Sequence, residues 1–247
     1  MASYSAPIPD LFPRQFILPR ALLDIQTLAM LVVQPVTPAD IPAITSLWYE
    51  GFGTSSILTL MPDTPGIRQW WNDANLHDLL YRPTARYWKV VDDATPEGPI
   101  VAYAKWDMES AEDRGNRFPP WHWEMDSAGC SNFFGGLERQ RQAIFQGQNN
   151  YCISPPPPRH IPLSQTGLYT HCSTDLDMLC TRPEYRGQGA GSMLVAQGCK
   201  EADQDQMPAY VDATAEGAPL YARYGFEDRT VRGIEVPGVT SMVRDPK

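Results

Sequence analysis

A glycine-rich turn between a predicted strand and a predicted helix is the feature that most constrains how this chain folds. Glycines occupy alternate positions in the turn, at Gly187, Gly189 and Gly191, and Arg186 comes directly before them. Glycine allows backbone dihedral angles that other residues avoid, and it lets a ligand approach the backbone closely. The start of a helix adds unpaired N–H groups and a partial positive charge. The turn therefore predicts a cradle for a phosphate or pyrophosphate group, with Arg186 as a further charged donor.

The turn matches neither of two familiar nucleotide-binding motifs. A P-loop ends in Gly-Lys-Ser or Gly-Lys-Thr, whereas Ser192 and Met193 follow Gly191 here. A dinucleotide-binding fingerprint has the spacing G-x-G-x-x-G, and one that began at Gly187 would need a glycine in place of Ser192. The pattern that remains is R-x-x-G-x-G, which runs from Arg186 to Gly191.

With its flanking residues, this pattern resembles the acyl-CoA pyrophosphate loop of the GNAT superfamily of N-acetyltransferases. It follows a predicted strand and a Pro-Glu-Tyr tripeptide. A second segment, residues 217–226, is similar to the family's L-Y-x-x-x-G-F helix. The T-P-A-D-I segment at residues 37–41, which follows an apolar strand, is similar to the opening of GNAT domains. The resemblance extends over residues 28–243 and is strongest over residues 176–226.

The resemblance implies an α/β protein with the GNAT fold. In that fold a mixed central sheet of about seven strands is flanked by helices, and acyl-CoA binds at the splayed central strands. We expect a single GNAT acetyltransferase domain over residues 28–247, preceded by a proline-broken extended arm over residues 1–27. Residues 108–174 are expected to include an insertion, which resembles an enlarged segment in a fungal-type subset of the superfamily. Its aromatic residues either line the acceptor pocket or cap the edge of the core.

Hydrophobic periodicity and turn residues predict the order of strands and helices. The predicted strands cover residues 28–36, 87–92, 100–106, 175–181, 209–213, 231–236 and 239–243. The predicted helices cover residues 40–52, 67–80, 131–146 and 216–224, together with a helix that runs from the glycine-rich turn to residue 203. The last two predicted strands are expected to pair with each other and close the sheet.

The same resemblance implies direct transfer of an acetyl group from acetyl-CoA to a primary amine in a ternary complex. Such a transfer needs no covalent enzyme intermediate, so Cys180 is expected to be a packed thiol and not a nucleophile. The end of the central strand is expected to pair through its backbone with the pantetheine arm, and the turn is expected to hold the pyrophosphate. The expected cofactor-binding residues are Leu179, Cys180, Thr181, Arg186, Gly187, Gln188, Gly189, Ala190, Gly191 and Ser192.

A tyrosine is expected to supply the acid of the reaction. On the match to L-Y-x-x-x-G-F, Tyr221 corresponds to the residue whose hydroxyl protonates the departing CoA thiolate. A phenol with a pKa of about 10 can donate to a thiolate whose conjugate acid has a pKa of about 8.5 when the two are held in contact. Tyr224 is a nearby rival that fits the motif less well.

Asp177, on the central strand, is the first candidate for the general base. Strict alternation along the strand would place it on the same face as Leu179 and Thr181, close to the thioester. Glu124 and Asp107 are other candidates for this role. A chain of water molecules could also carry the proton, so the assignment of the base stays open at this point.

The composition of the chain indicates which classes of partner it binds and in which cellular compartment it resides. The formal net charge of −9 argues against a nucleic-acid partner and favours a small-molecule or protein amine as acceptor. The cysteines are odd in number and lack a C-x-x-C pair, which favours a reducing compartment. The histidines lack metal-ligand spacing, so no metal is expected. No apolar run is long enough for a transmembrane helix, and we expect a cytoplasmic monomer or homodimer without a membrane partner.

Two alternative functions stay open from the sequence. The chain could bind CoA without turnover, as a sensor or interaction module. It could also be an acyltransferase that uses another acyl-CoA as its donor. The acyl-CoA loop is common to all of these functions, so the loop alone does not distinguish them.

Overall fold

The computed structural model describes residues 30–53, 55–94, 98–108, 118–145 and 173–247. The predicted N-terminal arm and much of the predicted insertion lie outside these residues. The strands are β1 (Leu31–Pro35), β2 (Ala85–Asp92), β3 (Ile100–Asp107), β4 (Thr174–Thr181), β5 (Ala209–Thr214), β6 (Glu227–Asp228) and β7 (Val239–Arg244). The helices are α1 (Ile41–Gly51), α2 (Ile57–Leu60), α3 (Pro65–Tyr81), α4 (Ser127–Phe145), α5 (Ala190–Gln204) and α6 (Ala218–Arg223).

The strands form one mixed sheet in the order β1-β2-β3-β4-β5-β7-β6. Within the described ranges, β4 and β5 are the one parallel pair, and every other neighbouring pair is antiparallel. Parallel strands need a long crossover connection, and α5 provides it between β4 and β5. The predicted α/β fold with about seven strands is confirmed.

Helices cover both faces of the sheet. The face that carries Trp106 and Leu179 packs against α5 and α6, and we call it the α5 face. The opposite face carries Tyr103, Met178 and Cys180, packs against α1 and α3, and is called the α3 face. Because both faces are covered, the sheet lies between the two large hydrophobic clusters of the described residues, and a ligand can reach the backbone in the middle of the sheet where neighbouring strands separate.

A β-bulge interrupts the pairing of β3 with β4. Lys105 pairs with Met178 and Trp106 pairs with Leu176, so Asp177 is the extra residue of the bulge. A bulge changes the alternation of side chains along the strand. Asp177 consequently lies with Met178 on the α3 face, where it is 3.5 Å from the Lys105 ammonium group.

The prediction of a strand over residues 231–236 is wrong. On the side away from β5, the strand that pairs with β7 is the short β6. At Val231 the side chain of Gln140 takes the place of a neighbouring strand: its amide nitrogen donates to the Val231 carbonyl oxygen (2.8 Å), and its amide oxygen accepts from the Val231 N–H (2.8 Å). Two residues later, Gly233 has a φ of 90°, which turns the chain out of an extended path.

Helix α5 packs tightly on the sheet at Gly198. A Cβ atom at this position would lie 2.0 Å from Cε2 of Trp106, and the Trp106 side chain is fully buried. Real carbon atoms cannot approach this closely, and a buried indole ring surrounded by other side chains has little room to move. The absence of a side chain at Gly198 therefore sets the distance between α5 and β3.

We expect Gly198→Ala to destabilise the protein by about 1–3 kcal/mol, because the added methyl group overpacks the core against Trp106. Gly135→Ala in α4 is the matched control. The nearest atom to a Cβ there is Nη1 of Arg139 at 3.4 Å, and alanine is favoured over glycine inside a helix by up to about 1 kcal/mol. Urea unfolding of both variants measures the difference. A midpoint for Gly198→Ala equal to that of the wild type would contradict the packing argument.

Candidate functional site

A cleft of about 700 Å³ opens where β4 and β5 separate. Its walls are the end of α1, the second half of β4, the glycine-rich turn with the first turn of α5, the end of β5, and α6. Eleven of the twelve residues predicted for the site line it: Asp177, Leu179, Cys180, Thr181, Arg186, Gly187, Gly189, Ala190, Gly191, Ser192 and Tyr221. The side chain of Gln188 instead donates to the carbonyl oxygen of Glu184 (2.7 Å).

The cleft exists because the parallel pairing of β4 and β5 is short. Three residue pairs join these strands, and the last of them is Leu176 with Val211. Beyond that pair β4 continues beside β3, and β5 continues beside β7. The two backbone edges that face each other across the cleft are therefore positioned to bond an extended ligand that carries amide groups.

The glycine-rich turn has the backbone geometry that a phosphate cradle needs. Gly187 and Gly189 have φ values of 75° and 95°, a region that residues with a Cβ atom rarely occupy. The first helical hydrogen bond of α5 runs from the N–H of Met193 to the Gly189 carbonyl oxygen (3.0 Å). The amides before Met193 precede the helical ladder, and they sit at the positive end of the α5 dipole.

Arg186 connects the turn to the opposite wall of the cleft. Its Nη2 donates to the carbonyl oxygen of Gly51, the last residue of α1, at 2.7 Å. A guanidinium group has five N–H donors, so this bond leaves further donors on Arg186, which lines the cleft. The bond to Gly51 holds the charge at the mouth of the cleft, next to the helical amides.

Tyr221 and Cys180 meet the cleft from opposite walls, and both side chains are buried. Burial raises the pKa of the Tyr221 hydroxyl, and the nearby Cys180 raises it further. Burial likewise raises the pKa of the Cys180 thiol. At neutral pH both groups therefore keep their protons, so Tyr221 can act as an acid and Cys180 lacks the thiolate character of a nucleophile.

The rival tyrosine is engaged elsewhere. The hydroxyl of Tyr224 donates to the carbonyl oxygen of Ser192 at 2.9 Å, and Tyr224 is not among the residues that line the cleft. The structure thus distinguishes the two tyrosines by position: Tyr221 faces the cleft, and Tyr224 bonds to the backbone of α5.

Asp177 lines the cleft, but the face predicted for it is wrong. The bulge places its carboxylate on the α3 face, whereas Leu179 packs on the α5 face. The Asp177 side chain is 4% exposed and is 3.5 Å from Nζ of Lys105, which also donates to a carboxylate oxygen of Asp78 (2.5 Å). Its carboxylate is therefore held near a buried cation at the base of the cleft.

The two other carboxylates considered for the base lie outside the lining of the cleft. Glu124 accepts a hydrogen bond from the hydroxyl of Thr64 (2.7 Å) at the start of α3. Asp107 is buried and accepts from Nη2 of Arg82 (3.0 Å). Each carboxylate thus has a local structural partner away from the separation of β4 and β5.

Asp212 is a cleft residue that the sequence analysis missed. It directly follows Val211 on β5, as Asp177 directly follows Leu176 on β4, so both aspartates stand where the strands part. Its carboxylate accepts hydrogen bonds from the hydroxyls of Tyr210 (2.6 Å) and Ser241 (2.9 Å). A charged residue in the middle of an apolar strand was the available signal, since strand interiors are depleted in aspartate.

The described aromatic residues of the predicted insertion cap the edge of the core. Phe118 packs against Phe134 with ring centroids 4.7 Å apart, and Trp121 lies 5.8 Å from Trp70 of α3. These rings belong to the cluster on the α3 face, and none of them lines the cleft. Trp123 is 83% exposed. Of the two alternatives for this segment, the described residues support the capping one.

Comparisons with known proteins agree with this geometry. The family model described as "Acetyltransferase (GNAT) domain" matches residues 163–228. A solved structure of histone acetyltransferase HPA2 and related acetyltransferase from Corynebacterium glutamicum is similar at 20% identity and a TM-score of 0.51, covering 88% of this chain and 97% of that one. That likeness shows a shared fold. No curated protein matches the chain.

Two further solved structures have lower scores. The PaiA N-acetyltransferase from Thermoplasma acidophilum, in complex with coenzyme A, is 9% identical with a TM-score of 0.48, covering 87% of this chain and 98% of that one. Arabidopsis thaliana NAA60, in complex with acetyl-CoA, is 14% identical with a TM-score of 0.48, and the match covers 86% of this chain and 96% of that one. Separately, none of the helices in the described ranges has the length and apolar character to span a bilayer.

The raised pKa of Tyr221 leads to a stability that depends on pH. A tyrosine in the unfolded chain ionises near pH ~10, whereas buried Tyr221 keeps its proton. Above that pH the native state binds more protons than the unfolded state. The contribution of buried, protonated Tyr221 to the free energy of unfolding is therefore complete below pH ~10. It falls as the pH rises further, by up to about 1.4 kcal/mol per pH unit.

We therefore expect Tyr221→Phe to lose less stability than the wild type between pH ~9 and pH ~11 in urea unfolding. The tyrosinate absorbance of the native protein near pH ~10 should be the same in both, because native Tyr221 does not ionise there. A smaller tyrosinate signal in the variant would mean that Tyr221 titrates normally in the folded protein.

Proposed function

We propose that the chain is an acetyltransferase of the GNAT type, which the family model that matches residues 163–228 supports, and that it transfers an acetyl group from acetyl-CoA directly to a primary amine. The observation that carries the proposal is the set of groups that line the cleft between β4 and β5. A phosphate cradle, a strand edge that can bond an extended ligand, and the protonated Tyr221 all face it. An acyl-CoA presents a pyrophosphate, an amide-containing arm and a thioester, in that order.

The chain's residues fit two parts of this donor, the pyrophosphate and the pantetheine arm. The amides from Gly189 to Ser192 and the Arg186 guanidinium suit the pyrophosphate, since backbone donors and the helix dipole favour an anion there. The backbone of Leu179 to Thr181 suits the amides of the pantetheine arm. The space is also suitable: a Cβ at Gly191 would sit 3.5 Å from Thr181 Oγ1 and 3.5 Å from Leu220 Cδ2, so a side chain there would narrow the cleft between the cradle and the strand.

In the proposed reaction the amine nitrogen attacks the thioester carbonyl carbon, and the carbon–sulfur bond breaks. A backbone N–H at the end of β4 donates to the carbonyl oxygen as negative charge develops on it. The Tyr221 hydroxyl donates its proton to the departing sulfur and regains a proton from solvent. Asp177 accepts the proton lost by the amine, either directly or through water.

The acceptor is proposed to be a cationic amine, on a small molecule or on a protein. Asp177, Asp212 and Glu216 line the cleft, and the chain as a whole has a net charge of −9. Such a potential attracts positively charged molecules. The cytoplasmic location and the monomeric or homodimeric state stay predictions.

Thiol release from acetyl-CoA, measured with a thiol reagent across a panel of amines and basic peptides, tests the proposal. We expect release that depends on the amine, because Tyr221 and the cradle are arranged for transfer and not for binding alone. Tight CoA binding without release from acetyl-CoA or other acyl-CoAs would instead indicate a non-catalytic module. Release from another acyl-CoA alone would correct the donor, and neither binding nor release would overturn the assignment of the cradle.

Tyr221→Phe is expected to lower kcat by about 100-fold, because it removes a general acid, while the Kd for CoA changes by less than about threefold, since few binding contacts are lost. Steady-state kinetics and calorimetry measure the two quantities separately. A variant with wild-type kcat would remove Tyr221 from the mechanism.

Asp177→Asn is expected to lower kcat/KM by about 100-fold at neutral pH, through the loss of the general base. Glu124→Gln is the comparison variant: Glu124 is outside the cleft lining and bonds to Thr64, so its activity should stay within about twofold of the wild type. The pH–rate profiles of both variants distinguish the two candidates. An active Asp177→Asn enzyme would leave a water chain as the route for the proton.

A further inference from the structure

Helix α6, which carries Tyr221, depends on its neighbours for its position. It has six residues, and a helix of this length is unstable by itself in water. Its Tyr221 side chain packs against Phe226, with ring centroids 5.9 Å apart. That contact lies within one local segment of chain, so it does not relate α6 to the phosphate cradle on α5. Leu220 of α6 packs in the same cluster as Ala190 of α5, and a directional contact in addition to this packing would fix the distance.

The hydroxyl of Tyr224 makes such a contact. Tyr224 is the C-cap residue of α6, and its hydroxyl donates to the carbonyl oxygen of Ser192 at 2.9 Å. This oxygen belongs to the peptide unit whose nitrogen is that of Met193, and the Met193 N–H makes the first helical bond of α5, to Gly189 (3.0 Å). The Tyr224 hydroxyl thus links α6 to the first turn of α5. The backbone amides just before Met193 in that turn form the proposed cradle.

A second set of contacts links the backbone of Tyr224 to the C-terminal end of α5. Its carbonyl oxygen accepts a hydrogen bond from Nε of Arg244 on β7 (2.9 Å). Arg244 also makes a two-point ion pair with Asp203 in the last turn of α5, at 2.7 and 2.8 Å. The Arg244 side chain is 5% exposed, and a two-point arginine–carboxylate pair is well defined in geometry. Tyr224 is therefore linked to both the first and the last turn of α5.

We propose that Tyr224 is a positioning residue, which holds Tyr221 at a set distance from the phosphate cradle. The proposal rests on the proposed function. The pyrophosphate and the sulfur belong to one donor molecule, so the acid can reach the sulfur only if α6 stands at the right distance from the amides of α5. Small displacements of a catalytic group lower the rate strongly. Tyr224 acts on the reaction through Tyr221 and does not touch the reacting atoms.

Tyr224→Phe tests the proposal, because it keeps the ring and removes the hydroxyl. Loss of one hydrogen bond of this kind corresponds to about a fivefold to tenfold fall in kcat if it is expressed at the acid. The Kd for CoA should change by less than about threefold, since the amides of the cradle remain. Rates are expressed per CoA-binding molecule, counted by calorimetry, so a loss of folded protein does not alter kcat.

The double variant with Tyr221→Phe separates positioning from a general structural effect. If Tyr224 acts through Tyr221, adding Tyr224→Phe to Tyr221→Phe should lower kcat by no more than about twofold, and the two effects should be strongly non-additive. Independent, multiplying effects would overturn the proposal. A wild-type kcat in Tyr224→Phe would overturn it as well.

Tyr49→Phe is the matched control, since the Tyr49 hydroxyl also bonds to a backbone carbonyl oxygen, that of Pro62 at 3.4 Å, and Tyr49 does not line the cleft. It should leave kcat within about twofold of the wild type. Failure of the proposed function has a different signature: the wild type would then release no thiol with any amine. An active wild type with an unaffected Tyr224→Phe variant would overturn the positioning role alone.

Discussion

The incomplete pairing of β4 with β5 is the constraint on which the rest of this structure depends. Three residue pairs join the strands at their N-terminal ends, and beyond them each strand stays bonded to its outer neighbour. Every backbone donor and acceptor inside a sheet needs a partner, so two diverging edges in the middle of a covered sheet form a place where a ligand can supply that partner. The cleft, the cradle and Tyr221 are arranged around this separation.

Helix α5 connects the core to the site. Its middle packs against Trp106 at Gly198, its first turn supplies amides to the cradle, and its two ends bond to Tyr224 directly and through Arg244. Because one rigid helix serves all three purposes, the position of the phosphate cradle follows from packing in the core. The same helix bonds to Tyr224 at the end of α6, the contact that we propose positions Tyr221.

Charge is distributed along the cleft in a way that suits two different reactants. Arg186 and the amides of α5 make one end positive, and the aspartates at the base of the separation make the other end negative. Burial keeps Tyr221 and Cys180 neutral between these ends, since both pKa values are raised by desolvation. The proposed anionic donor and cationic acceptor would therefore approach from different ends and meet beside the protonated Tyr221.

Local sequence signals were sufficient to predict most of the secondary structure of this protein. The glycine-rich turn, the helix after it and most element bounds follow from dihedral preferences and hydrophobic periodicity, which act over a few residues. The family resemblance carried by these segments named twelve site residues, and eleven of them line one cleft. The expectation that Cys180 is a packed thiol also agrees with its burial.

Contacts between residues far apart in the sequence determined the features that local signals did not predict. The bulge moved Asp177 to the α3 face because β3 is one residue out of simple register with β4, and alternation within β4 alone cannot show this. The strand expected over residues 231–236 did not form because Gln140, far away in the chain, bonds to the backbone of Val231. Asp212 joined the cleft because the pairing ends beside it. The sequence by itself determined which local segments form and which chemistry they carry. Only the tertiary structure decided strand register and the positions of the carboxylates, because both depend on pairing between residues that lie far apart along the chain.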